Sequence, residues 1–453
     1  MKKRTSVQFY SSHSTRQKNK PLPSVTALRV EKLSHDGRGI AYWQKKPIFI
    51  NGALPNELVE VDITSNRTRF LEGNVKSLLE SAPSRISPEC KHFAACGGCH
   101  WQFVAAEQQL VWKQQAVVEQ IQRIAKTEPE TLLPAICSQP WGYRQRARLA
   151  CHVVKGQLQL GFRGLQSEQI VEVTHCLTLT PQLQQLLESL RALLTGLSGK
   201  RCIGHIDIAQ GDAEVGIALR LIKPLPDEDT QQLEQWSIHH NVSIWLNTGT
   251  GSEPAPLRPE QPEALFYTLC QGHIQLSFLP TDFIQANQSI NEAMVSQAID
   301  WLQPKAGEAL LDLFCGIGNF TLPLAQYTGV DITGIEVSAS ALKRCQMNAQ
   351  LNGIANIRTY QADLSAQQSL SHCLGGKSFA GILLDPPRAG ALAVVSQIAE
   401  LKSQRVVYIS CNPATLARDT AELVKHGYKL KQLGVLDMFP HTAHIESMAL
   451  FTR

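Results

Sequence analysis

The sequence predicts a multidomain chain: a small closed β-barrel, then a central α+β domain, then a doubly wound α/β domain. Three observations carry this. Short β-rich runs separated by turn residues crowd the first eighty positions, alternating apolar and polar residues fill the middle, and strand and helix patterns alternate from residue 283 onward. The length of 453 residues agrees with about three domains of roughly 150 residues each. Hydrophobic residues make up 43%, charged residues 18%, and mean hydropathy is −0.13, which excludes a mainly disordered or membrane-embedded chain. The basic start is followed by no apolar signal segment, and no run of about 18 apolar residues occurs, so a cytoplasmic location with no membrane partner is expected. The twelve cysteines are then reduced thiols, candidates for buried residues, metal ligands or nucleophiles.

Residues 1–20 hold Lys2, Lys3, Arg4, Arg16, Lys18 and Lys20 and no acid, so the net charge of +4 leaves −2 for the remainder. A disordered basic tail is expected there. Residues 21–82 form the barrel, from strand runs at 25–33, 40–43, 47–50, 58–64 and 70–78. Its turn Gly37-Arg38-Gly39-Ile40-Ala41 and loop Leu54-Pro55-Asn56-Glu57 resemble those of the TRAM module, an OB-like barrel common in RNA-modifying enzymes. RNA binding is what that resemblance implies.

Residues 83–280 form the central domain. Cys90, Cys96 and Cys99 place three thiols on one loop, the pattern of a metal or cluster site, with Cys137, Cys151, Cys176 and Cys202 as candidates for the fourth ligand. Spacing alone does not separate zinc from a [4Fe–4S] cluster. A helix follows over 105–126, which is expected to pack on the C-terminal domain. Alternating runs at 148–154, 157–162, 206–209, 215–221, 242–246 and 273–278 predict an antiparallel sheet, with a helix near 181–197. If residues 141–149 are a strand, Arg144, Arg146 and Arg148 project from one face; with Lys155 and Arg163 they give 141–164 five positive charges and no acid. That footprint suits RNA phosphates.

Residues 281–453 carry the chemistry. The apolar run 309–313 ends in Gly316-Ile317-Gly318 and opens a helix, a turn that lets a ligand approach the backbone. Eighteen residues beyond Gly318, Glu336 ends a second strand where it can bind a ribose diol, and Asp363 follows a third strand where it can bind an adenine amino group. With Asp312 before the turn, these spacings resemble the Rossmann-like fold of S-adenosylmethionine-dependent methyltransferases. Two further loops narrow the reaction: Asp385-Pro386-Pro387-Arg388 and Ser410-Cys411-Asn412-Pro413, each just past an apolar strand. A thiolate at the second is useful because carbon 5 of uracil is a weak nucleophile until a thiolate adds to carbon 6. A base must then remove the carbon-5 proton, and Glu446, before the last strand, is the candidate, ahead of His441 and His444.

The segments 283–287, 312–319, 385–388 with 410–419, and 444–451 together resemble the RNA uracil-5-methyltransferase family. The resemblance implies that Gln285, Phe314, Asn319, Glu336, Asp363 and Asp385 line the cofactor and base site, with Cys411 as nucleophile and Glu446 as proton acceptor. Resemblance to the iron–sulfur subgroup implies a [4Fe–4S] cluster on Cys90, Cys96, Cys99 and Cys176. Having both barrel and cysteines, the chain resembles the members of that family that act on 23S ribosomal RNA, and the resemblance implies that RNA or a pre-ribosomal particle as partner, with a transfer RNA or another ribosomal uridine as the alternative. From another class, the chain would be an RNA-binding iron–sulfur sensor with a methyltransferase-like fold. No heptad pattern is present, so a monomer is expected.

Overall fold

The structure is a computed structural model that describes residues 24–249, 253–366, 369–401 and 403–453; the basic tail lies outside the described residues. The chain divides into two compact units, with the boundary between Arg85 and Ile86.

In the first unit the strands Ser24–Arg29, Lys32–Leu33, Gly39–Trp43, Lys46–Asn51, Leu58–Asn66 and Leu71–Glu80 form one sheet. The run expected at 25–33 splits in two, and the split closes the barrel. The Val30 N–H donates to the Glu57 carbonyl while the Glu31 N–H donates to the Ile40 carbonyl, so neighbouring residues join opposite edges of the sheet. Val25, Ile48, Ile50, Val59 and Val61 fill the interior. A side chain at Gly39 would place its Cβ 2.9 Å from Ala53 Cβ, so the closing strands approach this closely only with glycine there. Glu57 is fully buried and accepts hydrogen bonds from the Leu54 N–H at 2.8 Å and from Arg85 Nε at 2.5 Å.

The second unit contains a central seven-stranded sheet and a C-terminal eight-stranded sheet. The central sheet runs in the order Ile170–Glu172, Gln157–Arg163, Arg146–Val154, Ile203–Gln210, Val215–Leu221, Val242–Asn247 and Ala255–Pro256. Leu183, Leu187, Leu190 and Leu194 of helix Pro181–Gly196 pack on it at helical spacing. The expectation of a wholly antiparallel sheet is corrected: Val215–Leu221 and Val242–Asn247 run parallel, linked by helix Asp227–His240. That helix escapes a periodicity search because it is mostly polar; Leu233 is its one buried large apolar side chain.

The C-terminal sheet has the order Ile357–Gln361, Asp331–Glu336, Ala309–Leu313, Gly381–Leu384, Arg405–Ser410, Glu446–Thr452, Lys429–Leu436 and Thr131–Leu132. Its middle strands are buried on both sides: Leu310, Leu383, Val407 and Ile409 face one apolar layer, and Leu311, Ile382, Val406 and Tyr408 face the other. Helix Gln288–Leu302 lies in the first layer. Helices Leu392–Leu401 and Pro413–Lys425 lie in the second, where helix Ala106–Gln120 and its π-helical continuation Ile121–Ala125 join them. With Thr131–Leu132 paired parallel to Lys429–Leu436, the segment after the cysteine loop therefore belongs spatially to the C-terminal sheet. Lys113 of that helix is fully buried and donates to Asp437 Oδ1 at 2.6 Å and to the Phe439 carbonyl at 3.1 Å. Removing either partner of such a buried ion pair alone costs about 3–5 kcal/mol.

The row of three arginines is also corrected. The strand begins at Arg146, Arg144 sits ahead of it with its guanidinium over the Phe439 ring at 5.5 Å, and Arg148 is paired with Asp207 at 2.8 Å. Alternation places Arg146 and Arg148 on one face of the strand, and Arg144 and Arg148 have different local partners.

Candidate active site

The chain enters the C-terminal sheet at Ala309–Leu313, winds outward through Asp331–Glu336 and Ile357–Gln361, then returns to the other side of Ala309–Leu313 with Gly381–Leu384. Ligands bind at the carboxyl ends of strands beside such a switch of direction. Leu313 pairs with Leu384, so Phe314 and Asp385 each begin a loop at this edge. Phe314 and Gly316 adopt left-handed backbone, as does Gly318, where a Cβ would lie 3.1 Å from Cys345 Sγ. The Gly316 N–H donates to Glu336 Oε2 at 3.2 Å and the Ser338 N–H to Glu336 Oε1 at 2.9 Å, so Glu336 is fixed beneath the turn.

Asp363 lies exposed on the same edge; two hydrogen bonds from Ser365 hold its carboxyl below the usual range. Gln285 donates through Nε2 to Asp385 Oδ2 at 3.4 Å, and its carbonyl accepts from Gln145 Nε2 at 3.1 Å. Asn319 exchanges amide hydrogen bonds with Asn291 at 2.8 and 2.9 Å and accepts from Tyr267 Oη at 2.9 Å, which ties the glycine turn to helix Gln288–Leu302. Tyr267 and Asn291 had no signal in the sequence beyond their place on a strand and a helix.

Cys411 and Glu446 meet through register. Strands Arg405–Ser410 and Glu446–Thr452 are antiparallel, with Ser410 opposite Ser447, so the next residue outward, Cys411, faces Glu446. Burial pushes the Cys411 thiol up to about 11, Glu446 and Asp385 add to the rise, and the Arg388 guanidinium opposes it. The Glu446 carboxyl is also raised well above its ordinary value, by burial first and then by Asp385, again opposed by Arg388. Arg388 Nη2 is 3.0 Å from His444 Nδ1. Burial drives His444 and His441 down to about 4, so both imidazoles are neutral at pH 7. His441 has left-handed backbone, stacks on Trp141 at 3.7 Å and is 3.4 Å from Gln109 Nε2 through Nδ1, a structural set of contacts.

Asp312 is fully buried and accepts from Thr321 Oγ1 at 2.5 Å. Burial pushes its carboxyl up to about 7, with Asp385 and Glu336 adding to the rise, and burial pushes Asp385 to about 7 as well. An apolar-walled edge with several crowded acids suits a cation flanked by apolar and hydrogen-bonding groups.

Cys90, Cys96, Cys99 and Cys176 line one cavity of about 110 Å³. Of the four candidates for the last position, Cys176 is the one that reaches it; Cys151 lies in the central-sheet core and Cys137 is exposed. The Gly98 N–H donates to Cys96 Sγ at 3.4 Å, and Cys176 Sγ lies 3.2 Å from Thr178 Oγ1. Among the described residues, no three His, Cys, Asp or Glu side chains converge closely enough to hold a single metal ion.

Comparisons with known proteins give the family and the fold. Residues 270–453 match the tRNA (Uracil-5-)-methyltransferase family and residues 24–76 match the TRAM domain. A 23S rRNA (uracil(1939)-C(5))-methyltransferase, RlmD, of Pseudomonas putida is 40% identical over 452 residues, 99% of this chain and 98% of the relative. The chain belongs to the RNA uracil-5-methyltransferase family. The Nitrosococcus oceani protein of the same name is 43% identical over 96% of this chain and 98% of its own length. In fold, the chain matches the Pyrococcus abyssi tRNA (uracil-54, C5)-methyltransferase solved with S-adenosyl-L-homocysteine, with a TM-score of 0.70 over 94% of this chain and 99% of that one, at 23% identity. This family member is an S-adenosylmethionine-dependent RNA (uracil-C5)-methyltransferase. No described helix is long and apolar enough to cross a membrane.

The crowded acids have a consequence for the methyl donor. Its sulfonium is a cation and favours ionised carboxylates, whereas the thioether of S-adenosylhomocysteine is neutral. With burial holding Asp312 and Asp385 near 7, the affinity for S-adenosylmethionine relative to S-adenosylhomocysteine is expected to rise between about pH 6 and 8. Calorimetric titration of both ligands checks this; a ratio that does not change with pH contradicts it.

Proposed function

We propose that this enzyme methylates carbon 5 of a uridine in 23S ribosomal RNA through a covalent adduct between Cys411 and carbon 6. The opposition of Cys411 and Glu446 across the last strand pair carries the reading. The Cys411 thiolate forms a bond to carbon 6 and moves electron density onto carbon 5 and the carbon-4 oxygen. S-Adenosylmethionine supplies the electrophilic methyl group, which passes to carbon 5 as its bond to sulfur breaks. The Glu446 carboxylate then removes the carbon-5 proton, and the carbon–sulfur bond breaks to release 5-methyluridine and return the thiolate. A raised carboxyl is a stronger base once ionised, and Arg388 beside both groups favours their charged forms. In this reading Gln285, bonded to Asp385, orients it where the base enters, and Glu336 and Asp363 at the same edge bind the ribose and adenine of the cofactor. The target uridine leaves its helix to expose carbon 6.

The ribosomal substrate rests on the near full-length relatives named for 23S rRNA, together with the TRAM barrel. A ribosomal RNA substrate supports a cytoplasmic location. Mapping 5-methyluridine in 23S rRNA from cells lacking this chain is expected to show one site lost and restored on complementation. Retention of every ribosomal site with loss of a transfer RNA site contradicts the substrate.

The four cysteines fit a [4Fe–4S] cluster. They surround a cavity and do not converge on a point, the donor set is all thiol, and the Gly98 N–H already bonds one sulfur. A cluster there would fasten the loop carrying Cys90, Cys96 and Cys99 to the central sheet through Cys176. Methyl transfer moves no electron, so a cluster there would take no part in the reaction itself. Anaerobically purified protein is expected to carry four irons and four acid-labile sulfides per chain; stoichiometric zinc without iron refutes the cluster.

A further inference from the structure

The central sheet has one face that its helices leave open. In Arg146–Val154 the residues Ala147, Leu149 and Cys151 enter the helix-covered core, so Arg148, Ala150 and His152 project from the opposite side. Likewise Ile206 and Ile208 point inward and His205 and Asp207 outward, while Ile217 and Leu219 point inward and Ala218 and Arg220 outward. Half of this outer face is covered, because Ala209, Ala218 and Trp245 belong to the apolar core shared with Leu265, Tyr267 and Phe278. The other half is bare: the Arg148 side chain is 59% exposed and Ile222 is 68% exposed.

Two guanidiniums on the bare half, those of Arg148 and Arg220, are held in place. Arg148 donates through Nε to Asp207 Oδ1 at 2.8 Å and through Nη2 to Asp207 Oδ2 at 3.2 Å, which leaves three N–H groups directed away. Arg220 donates through Nη1 to Asn247 Oδ1 at 3.0 Å, and register sets it opposite His205, two residues from Asp207. Orientation of this kind, beyond what a solvated surface charge requires, prepares planar donors for tetrahedral oxyanions. The face continues into a groove of about 720 Å³ lined by His152, Gln159, Arg201, Gly204 and Ile222. The acid in its lining, Glu168, is paired with Arg163 at 3.5 Å.

The face also begins at the catalytic edge. Gln145, immediately before the arginine strand, donates its N–H to the Ala286 carbonyl at 2.9 Å and its amide to the Gln285 carbonyl. From Arg146 to His152 the strand runs roughly 20 Å away from that edge, at 3.3–3.4 Å per residue. A chain of phosphates leaving the base site therefore meets oriented cations along its path.

We propose that the open half of the central sheet, through Arg148, Arg201 and Arg220, binds the phosphodiester backbone of the RNA segment flanking the target uridine. This rests on the RNA-methylating function. Such contacts position the RNA and do not read its sequence.

The test is filter binding of unmodified 23S rRNA transcript to the full chain across a salt series, for wild type, Arg220→Gln, Arg201→Gln and the paired change Arg148→Gln with Asp207→Asn. Each variant is expected to weaken binding and to lower the slope of log K against log salt by about 0.7–0.9 per lost phosphate contact. Unaltered cofactor binding and melting show that the fold is intact; if the paired variant fails to fold, Arg220→Gln combined with Arg201→Gln decides. An unchanged slope in the combined variant overturns the proposal, as does weakened binding of polyglutamate with RNA binding intact. Failure of the wild-type chain to methylate uridine would overturn the functional reading instead.

Discussion

Ser410 lies opposite Ser447 where Arg405–Ser410 and Glu446–Thr452 pair, and the reactive centre depends on that register. A slip by one residue would turn the whole strand over and carry Glu446 away from Cys411. The register is secured by burial on both faces: Val406, Tyr408, Ala449 and Phe451 pack into one apolar layer, Val407, Ile409 and Met448 into the other. Tyr408 adds a hydrogen bond of 2.6 Å to the buried Asp419. The same burial that fixes the strands raises the Cys411 thiol and the Glu446 carboxyl, so packing and reactivity have one source.

The loop before Glu446 is shaped by residues more than three hundred positions earlier. Lys113 holds Asp437 and the Phe439 carbonyl, and Gln109 accepts the His441 N–H at 2.9 Å. The His100 and Trp101 N–H groups both donate to the His441 carbonyl at 2.9 Å. These bonds keep His441 in a left-handed conformation that is costly for a non-glycine residue. His100 follows Cys99 directly, so the cysteine loop and the catalytic loop share a backbone junction.

The carboxyl-edge loops were legible in the sequence because each follows an apolar strand and carries a compact signature: Gly316 to Gly318, Asp385 to Arg388, Ser410 to Pro413. Five barrel runs, the main central strands and helix Pro181–Gly196 were legible from alternation and spacing, but the break that divides the first run into Ser24–Arg29 and Lys32–Leu33 was not. What escaped depends on long-range contact. Thr131–Leu132 joins a sheet whose partner strand begins at Lys429, and helix Asp227–His240 is too polar to announce itself by period. The arginine strand showed its alternation but not its partners, since Asp207 and Phe439 come from distant segments. Likewise the spacing of Cys90, Cys96 and Cys99 could not choose a fourth cysteine, and folding brings Cys176 to them through the turn after Ile170–Glu172.

The central claim is that Cys411 and Glu446 act as a nucleophile and base on one uracil ring. It is tested most directly by incubating the Glu446→Gln protein with substrate RNA and S-adenosylmethionine and resolving the products on a denaturing gel. With the base removed, the methylated ring cannot lose its carbon-5 proton, and a covalent protein–RNA complex is expected to accumulate that Cys411→Ala abolishes. Rapid release of 5-methyluridine RNA by Glu446→Gln, or a complex that persists in the double variant with Cys411→Ala, would contradict the account.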